Sequence, residues 1–225
     1  MSNSRVINAV TVLLLAGCVA GAQTTVTNTF GNINRVIPDG QPTGMSDTRT
    51  LAFDIPQFSS ITNVEVTLNL SGGYSGDIYA YLTHGDGFAV LLNRVGRSSA
   101  NLVGYSDSGM DVTLSADGND IHQYQTFSPT IEGGQLKGIW GVDGRNIDPK
   151  TVVTTTPQTA LLSSFNGTDP NGSWTLFLAD MDAGDQSTLV QWSVILTAVP
   201  EPSTFVLAGL GGLVLGMRLL RRRTA

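Results

Sequence analysis

The sequence predicts an all-β domain built as an antiparallel β-sandwich, and three observations carry that prediction. Short segments alternate strictly between apolar and polar residues, clusters of Gly, Asn and Asp punctuate them, and no stretch of the body repeats with a helical period. Many short strands joined by such turns, with no helices between them, fit a sandwich better than any layered α/β arrangement.

Taken in order, Val64-Glu65-Val66-Thr67-Leu68-Asn69-Leu70 alternates without a break and reads as a strand with one face in the core. Ser71 to Gly76 ends it. Asp77 to Thr83 restarts the alternation, with Ile78, Ala80 and Leu82 inward and Tyr79 and Tyr81 outward, and Gly85-Asp86-Gly87 turns the chain again. Phe88 to Leu92 and Met110 to Leu114 read as further short strands. Residues 132–157, with Gly133-Gly134, Asp143-Gly144 and two prolines, read as an ordered loop holding short pieces of strand, in which Ile139 and Trp140 are expected to pack. The last pattern is the strongest. After the turn chemistry of Phe165-Asn166-Gly167 and Asp169-Pro170-Asn171-Gly172, the residues Trp174, Leu176 and Leu178 point inward as far as Asp180. An acidic turn, Met181 to Gln186, then leads into Val190, Trp192, Val194 and Leu196, so a closing hairpin is expected.

Both ends read as targeting segments. Ser2 to Arg5 is polar with one positive charge, Val6 to Ala16 is mostly apolar, and Ala20-Gly21-Ala22 precedes Gln23 as a small-residue cleavage site, which makes 1–22 a signal peptide cut between Ala22 and Gln23. A second reading stays open, because Leu15-Ala16-Gly17-Cys18 resembles a lipobox. The signal would then be 1–17 and Cys18, the one cysteine of the chain, would be lipidated.

At the other end, Ser203 to Met217 carries no charge and would span roughly 22 Å as a helix. Extension to Leu220 gives about 27 Å, close to the roughly 30 Å of bilayer hydrocarbon if Arg218 snorkels, so 203–220 is a marginal transmembrane helix. Arg221, Arg222 and Arg223 would stay cytoplasmic and leave the body on the far side. Pro200-Glu201-Pro202, the apolar run and the terminal arginines together resemble the PEP-CTERM sorting signal of bacterial exported proteins, over about the last 26 residues. That resemblance implies recognition by exosortase and the export machinery, transient anchoring in the inner membrane, cutting near the tripeptide, and release to the surface, outer envelope or exopolysaccharide matrix. The two prolines fix φ and keep the tripeptide extended and open to a protease.

Between the targeting ends lie about 180 residues, enough for one domain, 23–198, followed by the sorting segment 199–225. Five of the 12 basic residues belong to the ends, leaving seven against 18 acids, Glu201 included, and a formal charge of −11 on the body from Gln23 to Pro202. Such a surface excludes nucleic acid and is compatible with divalent cations or neutral glycans.

Catalytic chemistry is sparse. His84 and His122 are far apart, lack partners at metal-ligand spacing and read as turn residues. No G-x-S-x-G, phosphate loop or dinucleotide fingerprint occurs, and the chain reads as a non-enzyme, a secreted hydrolase with a carboxylate pair being the alternative. Calcium is the best-motivated ligand, since hard cations want clustered carboxylates: Asp180, Asp182 and Asp185 surround a glycine, and Asp117 and Asp120 form a similar group. The competing explanation is that Asp and Asn in turns cap their own backbone. Tyr74, Tyr79 and Tyr81 would stack on sugars if they lined one face, or on one another as cross-strand pairs.

Landmarks along the body are similar to the P domain (Homo B domain) that follows the catalytic domain of proprotein convertases. They are Ile37-Pro38-Asp39, Gly76-Asp77-Ile78, Phe165-Asn166-Gly167, Asn171-Gly172-Ser173-Trp174-Thr175-Leu176, Asp180 and Gln191-Trp192-Ser193. The chain departs from that pattern at His84-Gly85-Asp86 and between Leu136 and Pro149. The resemblance implies a jelly-roll sandwich similar to galactose-binding domains, non-catalytic, with Asp77 as a third contributor to calcium. The expected function is that of an exported surface or matrix protein with a binding or structural module, the alternative being a calcium-dependent carbohydrate-binding module.

Overall fold

Alternation at period two gives each strand one apolar side, and in a computed structural model describing residues 23–53, 59–199 and position 211 those sides close on one core. Eleven strands are described: β1 (Thr24–Phe30), β2 (Arg35–Val36), β3 (Met45–Leu51), β4 (Ser60–Gly72), β5 (Ile78–His84), β6 (Gly87–Asn93), β7 (Gly109–Asp120), β8 (Thr130–Glu132), β9 (Gln135–Gly141), β10 (Gly172–Asp180) and β11 (Ser187–Val199). They form two sheets. The larger has seven strands in the order β1-β11-β4-β7-β9-β8, with β2 also on β11, and the smaller runs β3-β10-β5-β6. Trp174 of the small sheet and Trp192 of the large one are both fully buried in the shared core.

The architecture is therefore mostly β with two layers, as the alternation predicts, but several details differ. The closing hairpin does not form: β10 lies in the small sheet and β11 in the large one, so Met181 to Gln186 carries the chain across the sandwich. Asp180 instead pairs with Ile78, while Ser187 pairs with Gly72. Nor is every pairing antiparallel, since β7 and β9 run parallel from Met110↔Leu136 to Leu114↔Trp140. β9 supplies more regular structure than expected of 132–157. Trp140 packs as anticipated, whereas Ile139 points outward and is 69% exposed, because one strand cannot turn two consecutive side chains to the same face. Asp117 to Asp120 continues β7 and is not a free turn, although the pairing jumps from Ser115 to Asp120.

Neither histidine is a turn residue in the solvent. His84 is buried at the end of β5, stacked on Trp174 at 4.0 Å and within 1° of parallel, with its ring nitrogens 3.1 Å from the Ser173 carbonyl and 2.6 Å from that of Asp169. His122 is wholly buried in a short 3₁₀ segment, Ile121–Phe127.

The two ends of the sandwich differ in kind. At one end β1 and β11 finish together, Thr24 opposite Ala198, with Ser60 opposite Val199. At the other, the loops after Val36, Gly72 and Asp180 converge, tied by the Ile37 amide to the Ser187 carbonyl at 2.9 Å and the Met181 amide to the Asp77 carbonyl at 2.8 Å. The predicted signal peptide with Cys18 and Ala22, the tripeptide Pro200 to Pro202 and the arginines Arg221 to Arg223 lie outside the described residues. So does the span 203–220 apart from Gly211, which is helical. Among the described residues no helix is long and apolar enough to cross a membrane.

Candidate functional site

The loop end holds most of the carboxylates singled out from the sequence. Asp77 follows a turn that only glycine fits. Gly73 sits at φ +62°, where a Cβ would come within 1.9 Å of the Ser187 hydroxyl, and one on Gly76 would meet the Val103 carbonyl at 2.5 Å. Pinned in this way, Asp77 is buried and accepts from Arg94 Nη2 at 3.3 Å; the same nitrogen is bonded to Asp182. Arg94 also donates through Nε to the Gly76 carbonyl at 3.0 Å, and its side chain is only 4% exposed. Asp39 closes the group from the facing loop, holding the Gly184 amide at 3.2 Å.

Asp180 is the unusual member. It is fully buried, and neither carboxylate oxygen has a hydrogen-bond partner, although Ser187 faces it. Burial, with Asp77 and Asp39 adding like charge and only Ser187 pulling the other way, pushes its pKa up to about 6. Asp77 is pushed to the same value, about 6, by burial, opposed by Arg94 and reinforced by Asp182 and Asp39. Asp185 is exposed on the crossing loop, where its carboxylate holds the Tyr74 phenol above its ordinary range.

The second predicted group is not one cluster. Asp117 is exposed, whereas Asp120 is half-buried and gripped by Arg145 through two bonds, Nη2 to Oδ2 at 2.7 Å and Nη1 to Oδ1 at 3.1 Å. Burial raises the Asp120 pKa, but Arg145, Gln123 and the His122 amide outweigh it and hold the carboxyl below its ordinary range. Arg145 also meets the fully buried Asp143 at 3.3 Å, and Asp143 in turn faces His122 Nδ1 at 2.8 Å and accepts from the Asn93 amide at 3.1 Å. His122 Nε2 lies 2.8 Å from the Arg97 carbonyl, so the imidazole is spent on both sides.

Of the acids expected to hold calcium, Asp77, Asp182 and Asp120 meet arginines, whereas Asp180 is buried without one and Asp117 and Asp185 are exposed. Among the described residues no three His, Cys, Asp or Glu side chains are arranged around a metal ion, and the guanidinium of Arg94 stands between Asp77 and Asp182 where a cation would sit. These side chains as placed do not fit a calcium cage. Arg94, Arg145, Asp143 and Asp39 are what the sequence reading missed. A signal was there: Arg94 follows Val90-Leu91-Leu92-Asn93 in a buried strand, and a charge in such a run needs a partner.

A groove of about 330 Å³ crosses the outer face of the small sheet, with Tyr79, Tyr81 and Phe177 on its floor and Asp148, Lys150 and Met181 at its rim. Tyr81 and Phe177 stack at 4.7 Å and 13°, and Tyr79 meets both edge-on. Their faces are therefore used on one another, as cross-strand pairs, and the floor presents ring edges. Tyr74 stands apart on the loop end. A second cleft of about 180 Å³ contains one carboxylate, Asp120, already bound to Arg145.

Beyond the sandwich, residues 198–223 match the PEP-CTERM protein-sorting motif. The match begins within the last residues of β11, so the tail is continuous with the central strand pair β4–β11. The signal directs the protein to exosortase-dependent export and the cell surface. No curated protein sequence matches the chain. Among solved structures it is similar to the serine protease of Aeromonas sobria, alone (12% identity, TM-score 0.42) and in complex with its chaperone (13% identity, TM-score 0.43). In both cases 79% of this chain is covered and 27% of the other, so it spans about a quarter of those proteins' length.

Proposed function

We propose that this is an exported surface or matrix protein whose sandwich acts as a non-catalytic binding or structural module, brought to its place by the PEP-CTERM tail and released there. One observation carries the reading: the sorting motif begins at Ala198, within the strand that closes the core, so what is sorted is this sandwich. The module's chemistry agrees with it. Its buried carboxylates are bound to arginines or sealed in the core, its two histidines are held on both ring nitrogens, and the two clefts described above are each lined by a single carboxylate, Asp120 and Asp148.

The test replaces Pro200, Glu201 and Pro202 together by alanine in the full chain and compares fractions of the producing cell. The unaltered protein should be recovered outside the inner membrane with a mass ending near the tripeptide, and the variant should stay membrane-bound and uncut. Equal release of both would overturn the sorting half. Co-sedimentation of the released protein with the cell's own exopolysaccharide tests the matrix half, and full recovery in the supernatant would remove it.

The calcium-dependent carbohydrate-binding alternative has in its favour the two unpartnered oxygens of buried Asp180. It requires Asp77 and Asp182 to exchange Arg94 for the ion. A melting temperature that rises with millimolar calcium supports it, and an unchanged midpoint eliminates it.

A further inference from the structure

The large sheet ends in an edge that lacks the usual protection. β1 pairs with β11 along its whole length, Thr24↔Ala198 to Phe30↔Trp192, without a bulge, and its other side meets no strand among the described residues. Sheet edges are normally blunted by charge, proline, a bulge or brevity. β1 has seven residues, Thr-Thr-Val-Thr-Asn-Thr-Phe, and no charged residue or proline occurs from Gln23 to Asn34. The neighbouring edge of the small sheet is different, since β3 carries Asp47 and Arg49 and turns Asp47 inward onto the Trp192 indole at 2.7 Å.

The edge is also complementary to itself. Thr25, Thr27 and Thr29 face outward and are exposed, while Thr24, Val26, Asn28 and Phe30 face inward and are half-buried. A two-fold axis through Thr27 perpendicular to the sheet sets two β1 strands antiparallel with every face preserved. It brings Thr27 opposite Thr27, Thr25 opposite Thr29 and Val26 opposite Asn28. The outer surface of this sheet already joins its strands by hydroxyl pairs, Thr25 with Thr197 at 2.9 Å and Thr67 with Ser193, so the new contacts repeat its chemistry.

We propose that β1 is a docking edge for a second copy of this chain, joining two seven-stranded sheets into one continuous sheet through an antiparallel β1–β1 pair. The pairing places the two Val199 ends at opposite ends of the assembly, so it suits protein released from its tail and not two copies held on one membrane.

The experiment uses the protein released by the producing cell. Thr27→Cys places two thiols directly opposite each other across the axis and should give a disulfide-linked dimer as the major species under mild oxidant, whereas Thr48→Cys, on the exposed side of β3, and the unaltered chain should give at least tenfold less. Thr27→Lys sets like charges face to face and should shift the unaltered dimer to monomer in light scattering, with an unchanged circular dichroism spectrum. A monomer at every concentration up to about 100 μM, or equal crosslinking of Thr27→Cys and Thr48→Cys, would overturn the proposal. Should Thr27→Lys fail to fold, the cysteine pair still decides.

Discussion

Asp180, the last residue of β10, and Asp77, just ahead of the neighbouring strand β5, are buried carboxylates, and their protonation sets a pH dependence that most carboxylates do not. Each has its pKa raised from 3.8 to about 6 in the fold, so each contributes stability that is complete below about pH 4 and lost as the pH rises through 6. The full cost at neutral pH is about 3 kcal/mol for one isolated group, and less for two that share Arg94 and each other's field. Asp180→Asn should therefore stabilise the protein by about 1–3 kcal/mol at pH 7 and by little at pH 4, read from urea midpoints at the two values. A variant that loses stability at pH 7 would show that the charge is needed. Arg145 behaves in the opposite sense, because it is the counter-ion of the fully buried Asp143 and holds Asp120 with two bonds. Arg145→Met should cost about 3–5 kcal/mol at pH 7, since it leaves two acids uncompensated, and its melting temperature should recover partly on acidification. At this scale the sequence marked the acids but not their partners. Asp77, Asp120, Asp180 and Asp182 stand in turn-like strings that invite a metal reading, whereas the arginines that neutralise two of the groups lie 17 and 25 residues away in the chain, from Asp77 to Arg94 and from Asp120 to Arg145.

The strands themselves were legible because their periodicity is local. Val64 to Leu70, Asp77 to Thr83 and Val190 to Leu196 alternate with a clarity that only a half-buried strand requires, and each lies within an observed strand or starts one residue ahead of it. Partnership is not local. The same alternation in β10 and β11 fits a hairpin and a crossing between sheets equally well, and the choice falls to the six-residue segment between them, which must reach from Ile78's neighbour to Gly72's. The parallel β7–β9 pair escapes a sequence reading for the same reason, as the connection between them holds the 3₁₀ segment and β8 and carries no signature of direction. What makes the crossing possible is visible in the glycines: Gly73 at φ +62° packs where a side chain would strike Ser187. Gly73→Ala should destabilise by about 2 kcal/mol or more through steric conflict and positive φ together, whereas Gly85→Ala, also at positive φ but with open space, should cost about 1 kcal/mol. Equal losses in chemical denaturation would mean that the close approach to Ser187 relaxes freely.

On the scale of the whole molecule, the sandwich sets the start of the sorting motif apart from the acidic loops. Thr24 and Val199, after which the sorting motif continues, lie at one end, and the opposite end gathers the acidic loops around Arg94. Among the described residues, Ala198 is the last buried member of the core shared by the two sheets. Stability and sorting are therefore expected to be independent. A chain ending at Pro202 should unfold in one cooperative transition, with a melting temperature within about 2 °C of the detergent-solubilised full chain, because the β4–β11 ladder is already complete at Ser60↔Val199. The body's formal charge of −11 adds a second condition to the same experiment: self-repulsion between exposed carboxylates is screened over about 10 Å at 0.1 M salt, so both forms should gain stability as sodium chloride is raised from low concentration. If truncation lowers the midpoint by 5 °C or more, the tail is a packing element of the domain as well as its address, and cutting at the tripeptide would release a weakened protein.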